Sequence, residues 1–219
     1  MKNLLVLIII SFTLFKCTDL KAQNSVNISL FPGYHVINSD EVYPQREHSD
    51  INPKTNFIAG ISAAYQTLVK DYPIQFNLSY SFGQSMVYKY RTAADIYIPN
   101  PVSADLRYST LPIEAFWIHS RNEKTDFYLG PNLVFQHRTF LFTNAEIPND
   151  RLLSVGIGIS GKAQRILNTF KSNNGHIFAA LGFRWTEFVF HHANGRNVDD
   201  FTMRHLTLTP QLGLSLNLD

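Results

Sequence analysis

Period-two alternation constrains this chain more than any other feature. From Ile74 to Gly83 every even position is large and apolar, and every odd position is small or polar. The same pattern runs through Leu153–Ser160 and, across one proline, through Leu206–Leu218. Successive side chains point to opposite faces only in an extended strand. These segments therefore predict β-strands with one apolar and one polar face. Five further segments follow the rule less cleanly: Val26–Val36, Phe57–Leu68, Leu106–His119, Phe127–Phe142 and Ile177–Phe190. The phase of Leu106–His119 is ambiguous around Pro112.

Eight strands need seven connections, and their lengths alternate. Asn38–Lys54, Thr92–Ser103, Thr143–Asp150 and His191–Phe201 are mostly long and polar, whereas Lys70–Tyr72 and Ser120–Lys124 are short. Ile166–Gly175, at about ten residues, breaks the alternation. Long and short turns on opposite ends mark an up-and-down barrel in an outer membrane.

Alternation alone would equally suit a soluble, lipocalin-like periplasmic barrel with its apolar face inside. The polar face separates the two. Phe57–Val69, Ile74–Tyr88, Leu152–Gly161 and Leu206–Leu218 contain no Asp, Glu, Lys or Arg. A strand face in water would carry charge for solubility and against edge pairing. Charged residues make up only 16% of the chain, against ~25% in ordinary soluble domains. The Gly, Ser, Asn, Gln and Thr face fits a narrow lumen, and the bulky face fits lipid. The expected fold is all-β, an eight-stranded antiparallel up-and-down transmembrane β-barrel. Tyr65, Tyr72, Trp117 and Phe127 near the short turns, and Tyr34, Phe57, Phe135 and Trp185 near the other ends, suggest two aromatic girdles.

The first residues bear on compartment. Met1-Lys2-Asn3 precedes an apolar run from Leu4 to Phe15, then a polar stretch ending in Ala22-Gln23. This is the layout of a secretory signal, and the run is shorter than the ~20 residues of a membrane helix. Residues 1–22 are read as a cleaved signal peptide and Gln23–Asp219 as the barrel domain. Cys17, the one cysteine, follows Lys16 rather than the small residue that lipid attachment prefers, and cleavage after Ala22 removes it. Lys2, Lys16, Lys21 and Asp19 leave with the signal, so the formal charge goes from +2 to 0. That balance gives no electrostatic case for nucleic acid.

Leu111-Pro112-Ile113-Glu114, Tyr128-Leu129-Gly130-Pro131 and Leu212-Gly213-Leu214-Ser215-Leu216, together with the signal ending in Ala22-Gln23, give the chain a further likeness. It resembles the outer-membrane β-barrel proteins of Bacteroidetes, the broad PorT-like group among small barrels of the OmpA and OmpX type. The resemblance implies the fold and an outer-membrane location after export. It carries no catalytic residues and no cofactor.

Candidate chemistry is sparse. Glu114, Arg138, Lys162 and Arg184 fall on the lumen register, with Lys89 and Arg91 higher on the third strand. They predict a plug of hydrogen-bonded and ion-paired side chains, because a buried charge must be paired. An anion-admitting porin is the alternative. His137 and Thr139, on the outer register just before Thr143-Asn144-Ala145, loosely resemble the site of small-barrel lipid A deacylases. Leu141, however, occupies the position where a histidine base would be needed. His191-His192 with Asp199-Asp200 suggests a metal, but adjacent residues of an extended chain point opposite ways, and a solvated loop is the expectation. The sequence predicts no catalytic, cofactor-binding or metal residues. Its partners are the outer-membrane bilayer and a periplasmic or extracellular protein met by the rim or loops.

Overall fold

The computed structural model describes residues 24–38, 52–69, 72–90, 102–122, 125–142, 150–170, 174–193, 196–198 and 203–218. Its strands are β1 (Ser25–Asn38), β2 (Asn52–Val69), β3 (Tyr72–Tyr90), β4 (Val102–Asn122), β5 (Thr125–Phe142), β6 (Asp150–Thr169), β7 (Gly175–Ala193), β8 (Arg196–Val198) and β9 (Met203–Asn217). Every pairing is antiparallel. The order β6-β5-β4-β3-β2-β1-β9-β7, closed by β6 against β7, makes a ring of eight strands. β8 is a three-residue addition that pairs with His191–Ala193 at the end of β7. Closure leaves no free sheet edge in the wall, which is how a sheet avoids edge-to-edge association.

The alternation holds through the wall. Leu78, Ile157 and Leu214 are 51%, 44% and 48% exposed, while Ser79 and Ser215 on the opposite face are 3% and 2% exposed. The ambiguity at Pro112 resolves with Leu106, Thr110, Pro112, Glu114 and Phe116 inside, and Leu111 and Ile113 outside. The aromatics do not confine themselves to two girdles. Phe76, Tyr80 and Phe82 stand on the outer face between Tyr72 and Phe57.

Two expectations need correction. Ile166–Gly175 is not a ten-residue connection, because β6 continues to Thr169 and leaves only residues 170–174. The short end is thus regular, with links at 70–71, 123–124 and 170–174 opposite the long links at 39–51, 91–101 and 143–149. His191 is not in a loop. An extra residue in β7, between the pairs Val155/Phe190 and Gly156/Phe188, shifts the phase and turns His191 inward. A bulge of this kind re-aims the side chains beyond it.

Where β1 meets β9, pairing stops between Leu30/Leu212 and Tyr34/Leu208. Counting along both strands puts Pro32 opposite Pro210 in the gap. Neither proline has an N–H to give the ladder.

Candidate functional site: a charged and filled lumen

The interior is built by the odd residues of β1, β3 and β9 and by the even residues of β2, β4, β5, β6 and β7, the last as far as Phe188. It is not lined only by small polar groups, as the sequence suggested. Phe31, Ile58, Leu106, Tyr108, Phe116, Ile118, Tyr128, Val134, Leu152, Phe178 and Phe188 are buried there too. They share strand parity with the polar residues, so the chain fills its own core with apolar bulk, in places such as Phe31, Ile58 and Tyr108 opposite a glycine that makes room. Gly83 is one such place: a Cβ there would lie 2.4 Å from the Tyr108 ring.

Glu114 is the centre of the polar part. Its Oε1 accepts from Arg184 Nε at 3.0 Å and from Ser160 Oγ at 2.6 Å, and its Oε2 accepts from Asn77 Nδ2 at 2.5 Å. β3, β4, β6 and β7 each supply one of these groups. Asn77 in turn accepts from Ser62 Oγ at 2.5 Å. Asn132 ties the same layer together, donating to Ser160 Oγ at 2.9 Å and accepting from Thr186 Oγ1 at 3.2 Å. A carboxylate with an ion pair and two further donors can be buried without an unmet charge.

Lys162 sits beside this layer. Its Nζ donates to Gln75 Oε1 at 2.5 Å and lies 4.4 Å from the Tyr128 ring centroid and 5.5 Å from that of Phe116. Two π-faces partly replace the water that the ammonium has lost. Arg138 belongs to a second cluster, nearer the long connections. Its Nε donates to Gln136 Oε1 at 2.7 Å, its Nη2 reaches the same oxygen, and Gln136 Nε2 donates to Thr110 Oγ1 at 3.2 Å. Arg138 Nη2 lies 2.7 Å from His205 Nε2. A guanidinium only donates, so His205 accepts at Nε2 and carries its proton on Nδ1. The structure thus joins Glu114 to Arg184 directly and holds Arg138 in a separate group. Lys89 and Arg91 lie outside the described side chains.

His191, missed by sequence reasoning because the bulge is silent in the alternation, lies 2.9 Å through Nδ1 from Ser154 Oγ and 3.2 Å through Nε2 from Phe188 O. A carbonyl only accepts, so Nε2 carries the proton and Ser154 donates to Nδ1. The pair has the tautomer of a serine–histidine dyad, but Ser154 is fully buried and borders neither described cavity. His192 points outward and is exposed, and Asp199 and Asp200 lie outside the described residues. Among the described residues no three His, Cys, Asp or Glu side chains gather where a metal could bind. His137 and Thr139 do face outward, and Thr143 lies outside the described residues.

The lumen pocket bordered by Asn77, Glu114, Lys162 and Arg184 measures about 10 Å³. That is room for one water at most.

No protein-family model and no curated relative matches the sequence. Solved structures do match in fold. Neisserial surface protein A superposes with a TM-score of 0.50 at 12% identity, over 89% of this chain and 97% of that one. The outer membrane protein OprG from Pseudomonas aeruginosa superposes with a TM-score of 0.53 at 11% identity, over 90% and 97%. At such identities the likeness is one of fold, the eight-stranded antiparallel barrel.

Proposed function

We propose that this chain is a small outer-membrane β-barrel of the Bacteroidetes PorT-like kind, exported by a signal peptide cut after Ala22. Its role is structural or that of an interaction platform, without enzymatic activity. The observation that carries this reading is the outer wall. Large apolar side chains stand exposed on every long strand there, among them Leu30, Phe76, Leu78, Leu133, Leu181 and Leu212. Water would penalise such a surface by roughly 25 cal/mol for each Å² left uncovered, whereas hydrocarbon would not. Against a porin stands the filled middle of the lumen, where the pocket between Asn77, Glu114, Lys162 and Arg184 has room for one water at most. It also fits a barrel whose long connections, rather than its interior, meet a partner outside the cell or at the periplasmic rim.

Spin labels at positions 78, 157 and 214 test the reading. In vesicles they should be relaxed by lipid-soluble oxygen and shielded from a water-soluble nickel reagent. Labels relaxed by nickel instead, on a protein recovered without detergent, would make the barrel a soluble one.

A further inference from the structure

One stretch of the outer wall is not apolar. Facing outward on β4, Arg107 pairs in register with Gln84 of β3 and Thr139 of β5, and Thr139 pairs with Arg151 of β6. One step nearer the short connections, His137 of β5 pairs with Ser109 of β4. The next steps down the same wall are apolar again, with Tyr80, Leu111 and Phe135, then Leu78, Ile113 and Leu133. The cations therefore stand at the upper margin of the apolar band, toward the long connections. Arg107 and Arg151 lie two strands apart, about 10 Å at the backbone, a gap that two arginine side chains span.

Beside them the wall is hollowed. A groove of about 440 Å³ runs between Phe57 and Phe82 on one side and Arg107, His137 and Thr139 on the other. Gly83 and the Tyr108 ring behind it form the floor. Among the described residues Arg107 and Arg151 make no ion pair, although Asp105 is two residues above Arg107 on the same face. By contrast Arg204, also on the outer wall, lies 4.0 Å from Glu187. Two guanidinium forks without a carboxylate partner among the described residues, at the margin of an apolar groove, match a phosphate attached to an acyl chain.

We propose that this wall binds a phosphorylated lipid of the surrounding leaflet. The acyl chain lies between Phe57 and Phe82, and the phosphate is held by Arg107 and Arg151 with His137 and Gln84 at its edge. The site rests on the membrane reading above and adds a specific lipid contact to it.

The test is native mass spectrometry of the detergent-purified barrel with phosphatidylglycerol or phosphatidylcholine. The wild type should retain phosphatidylglycerol, and excess inorganic phosphate should not displace it, because the acyl chain contributes. Arg107→Gln with Arg151→Gln should weaken that retention at least about tenfold, the loss expected of one charge-assisted hydrogen bond. Arg204→Gln should change it little, and all variants should keep the compact form on unheated gels. Undiminished phosphatidylglycerol retention by the folded double variant, equal retention of phosphatidylcholine, or full displacement by inorganic phosphate would overturn the site alone. Failure to retain either lipid, with labels at 78, 157 and 214 shielded from oxygen, would remove the membrane reading and the site with it.

Discussion

Glu114 neutralises Arg184 and collects donors from Asn77 and Ser160, so its loss should exceed that of any one hydrogen bond. Glu114→Gln keeps the volume but leaves a buried guanidinium facing an amide. Breaking one side of a buried pair costs about 3–5 kcal/mol, and urea unfolding of the detergent-solubilised barrel should show it. Glu114→Gln combined with Arg184→Met should recover much of the loss, since both charges are then gone. A combined variant no more stable than Glu114→Gln would mean that the carboxylate serves other partners more than Arg184. On the opposite face Leu78→Arg should cost roughly 2–4 kcal/mol near the bilayer midplane. Parity made all four lumen charges readable from sequence, because an alternating strand fixes each side chain's face once one is known. Which charges meet was not readable. Glu114 and Arg184 are neighbours only through the stagger of four strands, and Arg138 is drawn aside by His205, which shares the inward parity of Thr207 but lies just before the alternating segment.

Strand existence was legible; strand length was not. The eight segments all appear as strands, but each runs beyond its alternating part: β6 reaches Thr169 through Arg165 and Asn168, residues whose polarity resembles that of a loop. Near the short end such residues can stay in the ladder because they are exposed, and the backbone pairing does not depend on their side chains. The bulge in β7 escaped notice for a related reason. Phe188, Val189 and Phe190 are all apolar, so inserting one of them leaves the composition unchanged while shifting the phase. Deleting Val189 should therefore be tolerated: the flanking pairs Gly156/Phe188 and Val155/Phe190 become consecutive, and His191 stays inward against Ser154. Deleting Ile159 from β6 should not be tolerated, because one missing residue in a regular strand flips every side chain beyond it. Unheated gel mobility separates the outcomes, with the compact band expected for the first deletion and lost in the second.

At the scale of the molecule, ring closure is the property that alternation alone could not supply; charge-free strands and alternating connection lengths pointed to it. Export remains a matter for the intact cell: mass spectrometry of the native protein should find Gln23 at the amino terminus, and a lipid on Cys17 would refute that. The joint between β1 and β9 has a consequence of its own. It joins the first and last strands of the ring, and its ladder runs on both sides of a gap where Pro32 faces Pro210. The ring is then a zipper with two teeth missing in one row. Such a row is the first to part under stress, and the amides that border it, those of Leu30, Tyr34, Leu208 and Leu212, should exchange with deuterium sooner than those of the β2–β3 ladder from Phe57/Gln84 to Val69/Tyr72. The barrel would consequently wear out by unfastening along this one line, and a reagent that ties Leu30 to Leu212 should prolong its life more than the same tie anywhere else in the wall.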